Sequence, residues 1–226
     1  MIGDLLVVED VATEFAATVS RLHAESVDGF FRIALSGGKT AADCYAALAA
    51  DAQSGVDWSK VSFFWGDERC VSLDNEASNF HLAQEVLLSH LGPVGSIHPM
   101  RCEDGPGMYD RLLRSTPPLN VVHLGLGPDG HTASLFPGSE ALESGVDTLV
   151  AMNVDPLGTN PHERMTLTFA GIERADHVVI TVAGADKSNA LARVMAGDQS
   201  APAARLRGAH VLWIVDQAAL GQSVSR

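Results

Sequence analysis

Residues 120–139, NVVHLGLGPDGHTASLFPGS, indicate the fold class of this chain. The stretch begins with a short apolar run that is typical of a buried strand, and a turn with glycines 125, 127 and 130 follows. In an open α/β sheet, ligands bind just beyond the carboxyl ends of the strands, so His131 is predicted to lie at a functional site. An imidazole can exchange a proton near neutral pH. The alternative is a histidine that only caps a surface turn.

Residues 125–130 also match the G-x-G-x-x-G pattern of dinucleotide-binding proteins. That motif opens a long helix and is followed by an acidic residue about 20 positions later. Here Pro137 and Gly138 would end a helix after about six residues, and Pro128 lies within the turn itself. The pattern therefore disfavours nucleotide binding.

Composition and charge limit the classes of function. The chain has 226 residues, 46% of them hydrophobic and 19% charged, which is typical of a globular protein with one substantial core. A net charge of −13 argues against nucleic acid and anionic membranes as partners, although a local basic cluster could still bind a small anion.

Targeting signals and cysteines give a prediction about location. No apolar run approaches the ~18 residues of a membrane span, and the first ten residues lack the features of a secretion signal. Cys44, Cys70 and Cys102 are odd in number and lack C-x-x-C spacing, which favours reduced thiols over disulfides. We therefore expect a cytoplasmic protein, and we expect it to be a monomer.

Apolar strand patterns alternate with helical patterns along the whole chain. Besides the run at 121–126, strands are predicted at 5–8, 30–35, 61–65, 148–154, 177–182 and 210–215, and a half-buried one at 164–168. A helix is predicted after Asp10, which could cap it, and another over 78–91, while 92–107 is expected to be a loop and 109–113 one or two helical turns. This order predicts an α/β fold with a mostly parallel, Rossmann-like sheet and helices on both faces. Right-handed crossovers would bring the loops at 36–40, 66–69, 125–131 and 184–187 to one edge.

The loop at 36–40, SGGKT, joins a predicted strand to a predicted helix. A glycine turn at a helix start presents free backbone N–H groups and the positive end of the helix dipole to an anion. Ser36, Lys39 and Thr40 could add side-chain donors around Gly37 and Gly38, which favours a phosphate site. The alternative is a plain strand–helix connection, and the pattern is not that of a Walker loop.

Two other strand ends carry charge. Asp67, Glu68 and Arg69 follow the strand at 61–65, where they form either a solvated loop or part of the site. Lys187 falls near a helix start, where the dipole disfavours a cation, and this position suggests that it faces an anion.

Five segments in this order resemble the 6-phosphogluconolactonase family: SGGKT, GDER with SNFHLAQEVLL, GLGPDGHTASLFPGS, RMTLT and GADKSNAL. The resemblance covers about residues 30–215. It implies a single domain over 1–226, related in fold to glucosamine-6-phosphate deaminases and ribose-5-phosphate isomerases. It also implies hydrolysis of 6-phospho-D-glucono-1,5-lactone to 6-phosphogluconate in the oxidative pentose phosphate pathway, without metal or cofactor.

The resemblance assigns roles by position. His131 matches the catalytic histidine, and Arg69, Arg164 and Lys187 match basic residues that contact the substrate. The segment 36–38 matches the sugar-phosphate loop. Two prolines of the family pattern are replaced, by Ala41 and Ser72, and we expect these changes to affect loop stability but not the chemistry.

A lactone is an activated ester, so a covalent nucleophile is not needed. We hypothesise that neutral His131 accepts a proton from the attacking water and returns it to the ring oxygen. Backbone N–H groups of the glycine turn, or a nearby cation, would stabilise the oxyanion. Gly127, Asp129 and Gly130 are predicted substrate contacts. Arg69 and Asp67 are also predicted to be catalytic. Asp67 or Asp129 would orient a catalytic partner. The sequence leaves open which basic residue holds the phosphate.

Two alternatives remain at this stage. A glucosamine-6-phosphate deaminase or isomerase would carry an additional acidic residue after its D-G-H motif, where this chain has Ser134-Leu135-Phe136-Pro137. A non-catalytic sugar-phosphate sensor is the second alternative. The sugar phosphate is the expected partner in every case.

Overall fold

The computed structural model describes residues 3–27, 29–50 and 55–221. Its strands are β1 (Asp4–Val8), β2 (Phe31–Leu35), β3 (Val61–Trp65), β4 (Asp67–Arg69), β5 (Ser96–Ile97), β6 (Val121–Gly125), β7 (Val150–Asn153), β8 (Arg164–Leu167), β9 (His177–Val182) and β10 (His210–Asp216). Seven of them form one sheet in the order β1-β10-β9-β6-β2-β3-β5, and every neighbouring pair is parallel. The predicted parallel sheet is therefore confirmed.

The connections contain six α-helices in the described ranges. They are α1 (Val11–Ala24), α2 (Lys39–Ala50), α3 (Asn79–Val86), α4 (Pro106–Ser115), α5 (Phe169–Glu173) and α6 (Ser188–Met195). Short 3₁₀ turns occur at Trp58–Lys60, Leu88–His90, Cys102–Asp104, Glu140–Glu143, Ala185–Lys187 and Pro202–Arg205. No helix in these ranges has both the length and the apolar character needed to cross a membrane.

Strand β6 lies at the centre of the sheet and is buried on both faces. Its residues from Val121 to Leu124 are all fully buried, as expected for a parallel strand covered on both sides. Helices α1 and α2 pack against each other, α1 over β9 and β10 and α2 over β6 and β9. Phe15 of α1 lies on the ring of His123, with centroids 4.1 Å apart. The core therefore places the end of β6 in the middle of the sheet edge.

Helix α1 shows how local sequence sets an element's start. Asp10 caps it, as predicted, and accepts hydrogen bonds from the backbone of Ala12 at 2.9 Å and Thr13 at 3.2 Å. Its buried positions include Phe15 and Val19, which recur at helical spacing. This helix is confirmed.

A second sheet was not predicted as a separate unit. Strands β4, β8 and β7 form a three-stranded antiparallel sheet, so the strands predicted at 148–154 and 164–168 exist but lie outside the main sheet. The segment 67–69, expected to be a loop, is strand β4, which is separated from β3 by Gly66 alone. A strand of three residues is too short to show an alternating pattern, and this is why the sequence did not reveal it.

The segment between α3 and β6 also differs from its prediction. The helix expected over 78–91 ends at Val86 and continues only as a 3₁₀ turn. The region 92–107, predicted to be loop, contains the short strand β5. Helix α4 has 10 residues where one or two turns were expected. Pro106 at its first turn supports this start, because proline fits there.

The prediction of three reduced cysteines is wrong for two of them. Cys70 and Cys102 form a disulfide with Cα atoms 5.4 Å apart, whereas Cys44 is free and buried. The partners are separated by 32 positions, and only the packing of the segment before α4 against the end of β4 brings them together. A count of cysteines carries no information about such a contact.

Candidate active site

The predicted loops converge on one pocket of about 200 Å³ at the carboxyl ends of β2, β6 and β9. All four loops contribute residues to its walls, together with Arg164 of β8. These residues are Ser36, Gly37, Gly38, Lys39, Thr40, Asp67, Arg69, Gly127, His131, Arg164 and Lys187. The imidazole and the glycine loop that follows β2 therefore share one crevice, and the predicted convergence of loops is confirmed. The roles of the individual side chains remain predictions.

The turn after β6 is built around the imidazole of His131. The Gly127 N–H donates to the main-chain oxygen of His131 at 2.8 Å, and the Gly130 N–H donates to Gly127 at 2.9 Å. A Cβ at Gly127 would lie 2.2 Å from the imidazole, so only glycine leaves room for the ring. Gly130 has a φ of +92°, in the left-handed region that glycine favours.

Asp129 is the residue that orients His131. Its Oδ1 lies 2.6 Å from His131 Nδ1 and accepts the His131 backbone N–H at 3.1 Å. Burial would raise the pKa of Asp129, but the hydrogen bond and charge of His131 outweigh it and hold that pKa below its ordinary value. Because Nδ1 faces Asp129, Nε2 is the nitrogen left for a ligand.

Asp129 and Gly130 were predicted to contact the substrate, and their positions differ from that prediction. Among the described residues, the pocket wall includes Gly127 and His131 but neither Asp129 nor Gly130. Asp129 lies behind the imidazole, and Gly130 packs toward Ala201. Both residues shape the turn and do not line the cavity.

Asp67 forms its hydrogen bonds with Ser134 and Asn79, whereas the carboxylate that orients His131 is that of Asp129. It is buried, and its Oδ2 accepts a hydrogen bond from Ser134 Oγ at 2.6 Å. Asn79 Nδ2 donates to its main-chain oxygen at 2.8 Å and to Oδ1 at 3.2 Å. Asp67 therefore joins the β3 end to α3 and to the turn after His131, and its catalytic role stays a prediction.

Arg69 and Arg164 lie directly opposite each other on β4 and β8. Arg69 Nη1 donates to the Ala77 oxygen at 2.5 Å, and Arg164 Nε donates to the His162 oxygen at 3.2 Å. Burial lowers the pKa of Arg164, and the charge of Arg69 lowers it further, while nearby carboxylates oppose both effects. Like charges in this position repel each other, and an anionic ligand between them would reduce that repulsion further, so the pair favours phosphate binding.

Lys187 approaches from the β9 side of the β6 turn. It closes the 3₁₀ turn before α6 and lies 3.4 Å from Asp186, with its side chain 22% exposed. Lys39 and Thr40 form the first turn of α2 on the β2 side. Cationic groups therefore line more than one wall of the pocket.

A buried polar chain holds the glycine loop from below. The Ser36 N–H donates to Tyr45 Oη at 2.6 Å, Tyr45 Oη lies 3.0 Å from His123 Nδ1, and His123 Nε2 lies 2.9 Å from Thr181 Oγ1. All four residues are buried, and burial lowers the pKa of His123 to about 3. His123 is therefore neutral, so the chain can hold Ser36 without a charge.

Replacing Tyr45 by phenylalanine tests this support. Tyr45→Phe leaves the buried Ser36 N–H without a partner, which costs about 1–3 kcal/mol, and it loosens the loop. We expect a lower free energy of unfolding in urea and a higher KM for a phosphorylated substrate.

Tyr109→Phe is the matched control for this prediction. Tyr109 is also buried, accepts a hydrogen bond from the Trp65 N–H at 2.9 Å and donates to the His98 oxygen at 2.9 Å, away from the pocket. We expect a similar loss of stability with KM unchanged. Equal changes of KM in both variants would contradict a specific role for Tyr45.

Sequence reasoning missed several pocket residues. Asn79, Ser134 and Thr181 line the cavity. Their positions near strand ends and helix starts were the only feature of the sequence that could have indicated a role in the site. Glu68 was read as part of a solvated or functional loop, yet it is buried and accepts hydrogen bonds from the first backbone N–H groups of α3. It acts as the N-terminal anchor of that helix.

The fold and the pocket define an α/β protein with an oriented histidine beside a glycine loop at a helix start. Within that class, the chain belongs to the family described as glucosamine-6-phosphate isomerases/6-phosphogluconolactonase, whose model matches residues 6–213.

Individual relatives agree with this assignment. A 6-phosphogluconolactonase of Synechocystis is 35% identical over 97% of this chain and 95% of its own. A crystal structure of the 6-phosphogluconolactonase of Thermotoga maritima is 32% identical, covers 94% of this chain and 98% of its own, and has a TM-score of 0.80. A monomeric glucosamine-6-phosphate deaminase, 15% identical, with 97% of this chain and 100% of its own covered and a TM-score of 0.82, shows the shared fold alone.

Proposed function

We propose that this chain hydrolyses 6-phospho-D-glucono-1,5-lactone to 6-phospho-D-gluconate. One observation carries the proposal: an imidazole oriented by Asp129 shares a single pocket with the 36–40 loop and a pair of guanidinium groups. Relatives that carry the name 6-phosphogluconolactonase and match nearly the whole chain support the same substrate.

His131 acts as the general base in this proposal. Asp129 holds Nδ1, so Nε2 takes a proton from water as the water attacks the C1 carbonyl. The imidazolium that forms is stabilised by the neighbouring carboxylate, and it returns the proton to the ring oxygen when the tetrahedral intermediate collapses. No covalent intermediate is needed, because the lactone is already activated.

The phosphate binds at the other end of the pocket. Backbone N–H groups of the 36–40 loop and the charges of Arg69 and Arg164 hold it, since paired guanidinium groups match phosphate oxygens in two-point hydrogen bonds. Lys187 approaches from the β9 side and is the cation that we assign to the developing oxyanion. Binding energy from the remote phosphate thereby orients the carbonyl against His131.

Measured turnover of the lactone tests the function. We expect the protein to open freshly prepared 6-phosphogluconolactone far faster than buffer does, and to release no ammonia from glucosamine 6-phosphate. Binding without turnover would instead support a sugar-phosphate sensor. The enzyme is further proposed to act as a cytoplasmic monomer in a single domain, with the sugar phosphate as its partner.

Asp129→Asn tests the orientation of the base. Because the pKa of Asp129 lies below its ordinary value, the carboxylate is ionised throughout pH 5–8, and its stabilising effect is lost only as the pH falls through that lowered value. A neutral carboxamide no longer stabilises the imidazolium. We expect kcat/KM to fall about 10–100-fold, the equivalent of one charge-assisted hydrogen bond of about 1.5–3 kcal/mol, and its acidic limb to move to lower pH.

Asp186→Asn is the control for this change, because Asp186 pairs with Lys187 and does not contact His131. It should leave the acidic limb in place. If the acidic limb of kcat/KM against pH lies at the same pH in Asp129→Asn as in the wild type, the carboxylate has only a structural role.

A further inference from the structure

Asn79 lines the pocket and has a buried side-chain oxygen. It is the first residue of α3, it is 1% exposed, and it lines the cavity beside the glycine loop. Its backbone N–H donates to Glu68 Oε1 at 2.7 Å, so the helix start fixes its position.

The orientation of its carboxamide follows from its neighbours. Asn79 Nδ2 donates to the Asp67 main-chain oxygen at 2.8 Å and to Asp67 Oδ1 at 3.2 Å. Both partners are acceptors, and one belongs to a carboxylate. Turning the carboxamide over would place its oxygen against two other oxygens, so Oδ1 must point away from Asp67.

In the described part of the chain, Oδ1 of Asn79 has no hydrogen-bond partner. It lies against Gly37, where a Cβ would come within 1.8 Å of this oxygen. Gly37 is therefore needed for close approach. A buried acceptor without a partner is destabilising, and a donor on a ligand would remove that cost.

The chemistry of this oxygen selects its partner. A carboxamide oxygen can only accept, so it repels a phosphate dianion and favours a hydroxyl group. The cations of the pocket, among them Arg69 and Arg164, are the groups that suit the phosphate.

We propose that Asn79 is a specificity-determining residue whose Oδ1 accepts a hydrogen bond from one hydroxyl group of the sugar chain. This inference rests on the proposed lactone substrate, whose ring carries hydroxyl groups at C2, C3 and C4. A site built to bind a hydroxyl rejects analogues that lack it, because the buried acceptor is then left unpaired.

A cycle of substrate and protein changes tests the contact. Wild type and Asn79→Ala are compared on 6-phosphogluconolactone and on its 2-deoxy, 3-deoxy and 4-deoxy forms. Loss of one hydroxyl should lower kcat/KM of the wild type about 10–100-fold, the equivalent of a contact of 1.4–2.8 kcal/mol. Asn79→Ala should lower kcat/KM on the parent lactone by a similar factor and show no further loss with that one deoxy form.

Ser134→Ala is the matched control, since Ser134 supplies the other side-chain hydrogen bond to Asp67. It should keep the wild-type discrimination between the parent and the deoxy form. Gly37→Ala provides a second variant if Asn79→Ala does not fold, because its Cβ displaces Oδ1 and should abolish the same discrimination. If the loss of kcat/KM from Asn79→Ala and the loss from removing a hydroxyl multiply for all three deoxy forms, the proposal is overturned.

Calorimetric binding of 6-phosphogluconate and its deoxy forms separates this inference from the proposed function. A wild type that binds the product and discriminates through Asn79, but does not open the lactone, would refute the function and retain the contact. Turnover without any Asn79-dependent discrimination would refute the contact alone.

Discussion

His131→Ala is expected to lower kcat/KM for the lactone by about 10²–10⁴-fold, the usual contribution of a positioned general base. The variant keeps the glycine turn, because the hydrogen bonds that close it involve main-chain atoms of residues 127–131. The Tm should therefore stay close to that of the wild type. Stopped assays of lactone opening, corrected for the reaction in buffer, measure the effect.

Two controls separate base catalysis from a structural role of the ring. His90→Ala changes an exposed histidine outside the pocket and should keep full activity. Added imidazole should restore part of the activity of His131→Ala, since the cavity left by the side chain can admit it. A kcat near that of the wild type in His131→Ala would refute the assignment of the base.

Reduction of the disulfide is expected to lower the free energy of unfolding by about 3–4 kcal/mol, from the chain-entropy estimate for a loop of this size. The Cys70–Cys102 bond spans 32 positions and encloses α3, which carries Asn79. Urea unfolding with and without reductant measures the change. KM should rise as well, because Cys70 directly follows Arg69.

The double variant Cys70→Ser, Cys102→Ser is the control, and its unfolding should not respond to reductant. Burial raises the pKa of the Cys44 thiol to about 12, so this thiol stays protonated and does not compete in exchange. Thiol titration of the unfolded, unreduced chain should give one free cysteine. Three free cysteines, or equal urea midpoints with and without reductant, would contradict a stabilising disulfide.

Much of the main sheet could be predicted because its central strands are buried on both faces. Strands such as β3 and β9 therefore appear as continuous apolar runs, and both have the predicted bounds. The glycine turns after β2 and β6 mark where those runs end. From strand order and crossover handedness alone, the loops could then be assigned to one edge.

The second sheet escaped prediction for a physical reason. Strand β4 has three residues, and its partner β8 lies almost a hundred positions further along the chain. Pairing at that distance leaves no local period in the sequence. The resemblance to a known family named Arg69 and Arg164, but only the antiparallel register places the two residues directly opposite each other.

The sequence by itself determined the parallel α/β frame, the glycine loop after β2 and the histidine after β6, since each follows from local burial patterns and turn chemistry. Tertiary structure alone decided which carboxylate orients His131, where Asn79 Oδ1 points and that Cys70 meets Cys102. These are contacts of single side chains in a packed interior. Their geometry depends on all the surrounding elements at once, and no short stretch of sequence carries it.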